Sequence, residues 1–117
     1  MLLYKKGVID MDTTVICPRF ESAISLLSQR WTGLIIYQLL SGPQRFSHLT
    51  EVIGISGRLL SERLKNLEAQ GIVTRTVYPE TPVRIEYELT AKGFSLKPVM
   101  DEIQNWSQEW VDPIEAK

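Results

Sequence analysis

Residues 45–93 read RFSHLTEVIGISGRLLSERLKNLEAQGIVTRTVYPETPVRIEYELTAKG. In the middle of this stretch Leu60, Leu64 and Leu67 fall at i, i+4 and i+7, within roughly 60° of one another on a 3.6-residue helix. Arg58, Ser61, Glu62, Lys65 and Ala69 then lie on the opposite side. Ser56 stands where an N-cap belongs and Gly71 follows the last apolar position as a left-handed C′ residue does, which brackets the helix at about 57–70. Upstream, Ser47 is placed to cap a shorter helix running to about Val52, with Leu49 and Val52 facing the core. Gly54 permits the turn into Ile55-Ser56.

Downstream, Ile72–Tyr78 and Arg84–Leu89 are rich in β-branched and aromatic residues. Ile85, Tyr87 and Leu89 alternate with Arg84, Glu86 and Glu88, so both runs read as strands. Pro79-Glu80-Thr81-Pro82 between them lacks two backbone donors and forms a tip rather than a ladder. Helix, tight turn, helix and two-stranded ribbon outline a winged helix-turn-helix, an α+β fold that is mainly α.

The chain resembles the HxlR-type winged helix-turn-helix regulators of bacteria, a MarR-like group. The resemblance runs through Cys17-Pro18, Trp31-Thr32, Gly42-Pro43, Arg45-Phe46, Leu49, Ile55-Ser56, Leu60, Arg63-Leu64, Leu67, Gly71, Tyr78-Pro79, Pro82, Tyr87, Leu89-Thr90, Gly93 and Trp106. It spans about residues 17–107. Arg30 stands where the family commonly has Lys, and about ten extra residues precede Met11. The implied organisation is an N-terminal arm (1–16), a DNA-binding domain (17–93) and a C-terminal dimerisation helix (94–117).

At 117 residues with 44% apolar content the chain can bury one modest core. Residues 1–14 carry two lysines with no apolar run of about 7 residues after them, and no stretch approaches the roughly 18 apolar residues of a membrane span. One cysteine excludes an internal disulfide, so a reducing, cytoplasmic setting is expected and no membrane partner. The net charge of −1 conceals polarity. Residues 56–84 hold five basic side chains against three acidic, and residues 98–117 one basic against five acidic. The positive segment coincides with the proposed reading head.

A major groove admits one α-helix, and its base edges are read by side chains that donate or accept in defined patterns. Arg58, on the first turn, suits a bidentate contact to guanine, and Ser61 and Lys65 share its face, with Lys65 nearer the phosphates. Ser56 and Gly57 at the helix amino end offer backbone amides to a phosphate. Glu62 either accepts from a cytosine amine or pairs with Arg58 at i, i+4. Arg63, only about 60° from the leucine stripe, suits a structural ion pair as well as a DNA contact. On the wing, Arg84 is the candidate for a phosphate or the minor groove, and Arg75 either assists or pairs across the ribbon with Glu86 or Glu88. His48 reads as an exposed polar residue.

In the C-terminal segment Leu96, Val99, Ile103, Trp106 and Trp110 are spaced 3, 4, 3 and 4, a heptad-like seam. Trp31, Leu34, Ile35, Leu39, Leu49, Leu60 and Leu64 already furnish a core, so the seam is expected to meet a second subunit. The resemblance implies the same two-fold homodimer, with recognition helices one helical turn apart on a near-palindromic operator in double-stranded DNA.

Cys17 precedes Pro18 and a helix beginning near Arg19, a setting in which the helix amino terminus and the Arg19 charge favour thiolate. The resemblance implies an oxidant or electrophile sensor at this Cys-Pro position. A small buried apolar residue is the alternative. A small-molecule effector lodged near Phe20, Trp31 or Tyr37 is equally compatible with the sequence. One His, one Cys, no glycine-rich phosphate loop and no metal-ligand spacing argue against an enzyme, a resident cofactor or a metal. The competing class is a winged-helix protein-interaction module that does not bind DNA.

Overall fold

The computed structural model describes residues 15–114. The expectations placed on residues 1–14 lie outside the described residues. Six helices and three strands follow in the order α1 (Pro18–Ser28), α2 (Thr32–Leu39), β1 (Gln44–Arg45), α3 (Phe46–Ile53), α4 (Gly57–Ala69), β2 (Val73–Tyr78), β3 (Arg84–Leu89), α5 (Ala91–Phe94) and α6 (Lys97–Trp110). The strands form one antiparallel sheet in the order β1-β3-β2. The winged helix-turn-helix is thus present, with α3 and α4 as the helical pair and β2–β3 as the wing.

The core lies between α2, α3, α4 and the inner face of the sheet. Ile35, Ile36, Leu39, Leu49, Leu60, Leu64 and Leu67 are fully or almost fully buried, joined by Ile55, Ile72, Val73, Tyr87, Leu89 and Met100. The leucine stripe of α4 is therefore the inward face the 3.6 period indicates. Ser56 caps α4, its hydroxyl accepting from the Leu59 amide at 3.2 Å. Gly54 and Gly71 take φ +79° and +74° at the ends of α3 and α4, conformations that a Cβ penalises.

Three expectations are corrected. Ser47 does not cap α3: the helix starts at Phe46 with Arg45 at its N-cap and no side-chain cap bond. Gln44-Arg45 pair with Tyr87 and Glu86 as strand β1, and the chain passes straight from that strand into the helix. Two residues are too short for a period-2 signal. Val52 and Leu34 are 50% and 57% exposed, since their neighbours Leu49 and Ile35 take the buried side. The C-terminal segment is divided by Ser95-Leu96, so a one-turn α5 precedes α6. Thr90 caps α5 and also donates through Oγ1 to the Gly71 carbonyl at 2.6 Å, tying the wing's base to the end of α4.

Two elements stand apart from the core. No residue of α1 is buried; it rests on the body through Leu26 and Leu27 near its end. In α6 only Met100 is buried, and the helix then runs outward. The radius of gyration is 17.2 Å, against roughly 13 Å for a compact 100-residue domain. The excess is what projecting helices produce.

Candidate nucleic-acid interface

Helix α4 presents the predicted face. The Arg58 side chain is 80% exposed, with a 3.3 Å contact to Glu62, which is itself half exposed. Such an i, i+4 pair in water is worth only about 0.3–0.5 kcal/mol and yields readily to a phosphate or a base edge. Ser61 is half-buried beside them, and Lys65 is exposed and enters none of the ion pairs found among the described residues. Ser56 and Gly57 are exposed at the amino end of the helix. Ser56 meets the Leu59 and Leu60 amides through its hydroxyl and carbonyl, while the Gly57 and Arg58 amides precede the first intrahelical bond. One stretch of surface therefore carries an exposed guanidinium, an ammonium, a hydroxyl and unpaired backbone donors.

Arg63 has a different part. Its side chain is 19% exposed, and Nε donates to the Arg30 carbonyl at 2.9 Å, while Glu62 lies at 3.9 Å. The half-buried stem expected from its angle is present, but the chief partner is a backbone oxygen 33 residues away rather than a carboxylate. This bond fixes α4 to the link between α1 and α2. The adjoining Trp31 adopts φ +79°, a left-handed conformation that costs a bulky residue on the order of 1–3 kcal/mol. Arg30 covers its ring at 4.6 Å, and the Arg63 bond holds the preceding peptide.

The wing also differs from a simple basic finger. Arg84 Nη2 and Nε engage both oxygens of Glu80 at 2.7 and 3.2 Å, and Nη1 engages Glu86 at 2.5 Å. The guanidinium lies over the Tyr78 ring at 3.8 Å, as the Tyr78–Arg84 register requires. Hydrogen bonds from Arg84 hold the Glu80 carboxyl below its ordinary range. The same bonds, accepted by Glu80 and Glu86, push the guanidinium further up. Arg84 is thus fully compensated within the wing in the unbound chain, which was not evident from its position after Pro82. Arg75 does not pair with Glu86 or Glu88: the register sets it opposite Tyr87, on the other face of the ribbon from both carboxylates. Arg45, exposed on β1 opposite Glu86, supplies a further positive charge near Glu80 and was missed because β1 was.

Cys17 is the N-cap of α1, half-buried, with Pro18 in the first turn. Its carbonyl accepts the Glu21 amide at 3.0 Å, and its side chain makes no cap bond. Beside it, a groove of about 810 Å³ separates α1 from the rest of the molecule. Pro18, Ser22, Ala23 and Leu26 form one wall, and Ile72, Lys92 and Leu96 stand opposite. Phe20 and Tyr37, which a sequence reading could take for pocket walls, are 61% and 44% exposed. His48 is exposed, no three potential metal ligands cluster among the described residues, and no helix there is long and apolar enough to cross a membrane.

A capped helix turned outward beside a two-stranded wing in a three-stranded sheet defines the winged helix-turn-helix class of transcription regulators. The chain belongs to the HxlR-like helix-turn-helix family, whose pattern matches residues 26–115. It is 56% identical over 104 residues to the HTH-type transcriptional regulator YvaP of Bacillus subtilis, covering 88% of this chain and 96% of that protein. The reduced form of the B. subtilis transcriptional regulator YodB is 51% identical and superposes with a TM-score of 0.73, covering 85% and 98% of the two chains. YodB has also been solved after diamide treatment and with quinone bound, at TM-scores of 0.68 and 0.71 and 52% and 47% identity, covering 84% and 81% of this chain and 98% and 100% of those chains. The redox regulator HypR in its oxidised form is 33% identical with a TM-score of 0.76, over 82% and 99%.

Proposed function

We propose that the protein is a homodimeric, sequence-specific DNA-binding regulator of transcription, acting in the cytoplasm on a near-palindromic operator and responsive to thiol-reactive compounds through Cys17. The observation that carries the DNA reading is the outward face of α4, where Arg58 and Lys65 are exposed, with Ser61 half-buried between them, beside the amides of Ser56 and Gly57. Arg58 reads a guanine edge, Lys65 neutralises a phosphate, Ser61 adds a hydrogen bond, and Glu62 exchanges Arg58 for a cytosine amine. Arg84 reaches the backbone from the wing. The dimer reading draws on the apolar faces that α1 and α6 leave uncovered.

Selection of bound fragments from genomic DNA identifies the operator, and titration at several salt concentrations tests the interface. Arg58→Ala is expected to lower operator affinity about 10- to 100-fold and relax specificity at one position in each half-site, as loss of a bidentate base contact worth about 1–3 kcal/mol does. Lys65→Ala should weaken operator and random duplex alike and reduce the salt slope by about one per contact. Absence of any DNA binding at 50 mM salt would refute this reading and leave the interaction-module class.

For the signal, support comes from the placement of Cys17 at the head of a helix without buried residues, and from relatives solved in reduced, oxidised, diamide-treated and quinone-bound forms. As the chain has one cysteine, an intersubunit disulfide consumes one thiol from each protomer. Diamide takes up the two hydrogens and two electrons as its azo bond becomes a hydrazine. A quinone instead adds the Cys17 sulfur to a ring carbon, its proton passing to the ring oxygen. Either product moves α1 at its free end. Diamide is expected to change operator affinity of the native protein at least about tenfold, the size of a 1–3 kcal/mol coupling, and to leave Cys17→Ser unaffected. Equal responses from the two proteins would remove Cys17 from the mechanism.

A further inference from the structure

The wing contains a cation whose Nε–Nη2 fork is already occupied. Glu80 spans the Nε–Nη2 edge of Arg84, the side-on fork that also fits two oxygens of a phosphate. Glu86 takes the opposite nitrogen, Nη1, and Tyr78 supports the flat face at 3.8 Å. The two carboxylates are not equivalent: Glu80 is 52% exposed at the wing tip, whereas Glu86 is 21% exposed against the ribbon. Removing Glu80 from the fork therefore leaves Arg84 anchored by Glu86 and stacked on Tyr78, with its outer edge turned to solvent. Arg45, opposite Glu86 on β1, keeps the surroundings positive after Glu80 leaves.

We propose that Glu80 is a specificity-determining residue that acts through Arg84: its carboxylate occupies the fork in place of a DNA phosphate and gives way only when the recognition helix has seated the wing on a cognate site. This rests on the DNA-binding reading above and extends it. On random DNA the helix finds no register, so the wing meets the backbone without a fixed phosphate beside it, and the intramolecular pair outcompetes the passing phosphates. Arg84 then contributes nothing to affinity. At the operator the base contacts of α4 fix the wing beside a phosphate, and the exchange of one bidentate anion for another becomes favourable. The pair suppresses non-specific binding without removing the phosphate interaction from the specific complex.

The test is the salt dependence of full-length wild type, Glu80→Gln, Arg84→Gln and the double variant, measured on operator and random duplexes between 50 and 200 mM. Each further phosphate that the protein neutralises adds about 0.9 to the slope, equivalent to an extra loss of affinity of about 3.5-fold over that range. Glu80→Gln is expected to bind random duplex more tightly and with a slope steeper by about 0.9 for each wing that docks, while its operator slope stays at the wild-type value. Adding Arg84→Gln should cancel that tightening. In the wild-type background Arg84→Gln should weaken the operator complex and leave random binding unchanged. An unaltered random-DNA slope in Glu80→Gln, or an equal fold-loss on both duplexes in Arg84→Gln, overturns the proposal and makes the pair purely structural. Failure of wild type to bind either duplex overturns the underlying DNA reading instead, and the two failures are told apart by that control.

Discussion

Gly93→Ala is expected to destabilise the folded chain by about 3 kcal/mol, at the upper end of what overpacking a core costs. The glycine is buried on the one-turn helix α5, immediately after β3. A Cβ there would fall on the Ile72 carbonyl oxygen and within 2.9 Å of the Leu89 side chain. Neither neighbour can retreat easily. The Ile72 oxygen accepts the Thr90 amide at 2.9 Å and the Thr90 hydroxyl at 3.2 Å, and Leu89 is a core residue of the strand. Moving α5 outward instead strains the Lys92 bond to the Gln70 carbonyl at 2.6 Å and draws α6 after it. Urea unfolding at fixed protein concentration provides the measurement, with the thermal midpoint expected to fall by about 10 °C or more. Gly71→Ala is the informative comparison. Its φ of +74° imposes roughly 1–2 kcal/mol of backbone strain, but no atom lies within 4 Å of the added Cβ. A Gly93→Ala loss no larger than that of Gly71→Ala would show that the junction yields, contrary to its hydrogen bonding.

What could be read from the sequence, and what could not, divides along a physical line. The α4 stripe, the Ser56 cap, the Gly71 terminus and the limits of β3 are local properties of period and capping, and the structure carries them within a residue. Strand β1 could not be found in this way. Its two residues owe their extended state to pairing with β3, a partner some 40 positions away. Once β1 is missed, Arg45 goes unnoticed and Ser47 is assigned the wrong role. Side-chain commitments are harder still. Arg58 and Arg84 both look like free cations in the sequence, yet one is 80% exposed with a single weak partner and the other holds two carboxylates and an aromatic ring. The difference comes from the register of the ribbon, which sets Tyr78 against Arg84 and leaves Arg75 on the opposite face. For Arg63 the angular argument placed the residue beside the core but did not foresee the Arg30 carbonyl, because that partner lies 33 residues away, between α1 and α2.

Those commitments bear on how a signal at Cys17 would travel under the proposed function. Helix α1 joins the body mainly at its carboxyl end, through Leu26, Leu27 and the Arg30 carbonyl that Arg63 holds. Its amino end, where Cys17 lies, borders the open groove against Ile72 and Leu96. Under the proposed function, a displacement of α1 at Cys17 would meet α4 at Arg63, five residues from Arg58, and the base of α6 at Leu96. In the proposed dimer those two elements would carry the spacing of the recognition helices.

The proposed dimer supplies the second large effect. Trp106→Glu is expected to convert the protein to a monomer and to weaken operator binding by at least about 100-fold, since linked half-site contacts raise affinity about 10²–10⁴ over separate ones. Val99, Ile103, Trp106 and Trp110 are 40%, 54%, 61% and 69% exposed along α6, and Phe20 and Ile24 are 61% and 48% exposed on α1. Each such side chain is worth about 1.5–3 kcal/mol when fully buried, and because these are roughly half exposed, covering both faces would still gain several kcal/mol. The expected seam is divided in the structure: Leu96 packs against the core of its own chain, and the four residues beyond it remain for a partner. Because Met100 is the only buried residue of α6, a charge at Trp106 lies outside the winged-helix core and should leave the unfolding midpoint of the monomer unit intact. Sedimentation equilibrium reads the oligomeric state, and operator titration reads the loss. Lys65→Ala provides the contrast, lowering affinity without changing mass. A Trp106→Glu protein that sediments as a dimer, or a wild type that sediments as a monomer, would place the apolar face of α6 in some other contact and remove the two-fold geometry from the DNA reading.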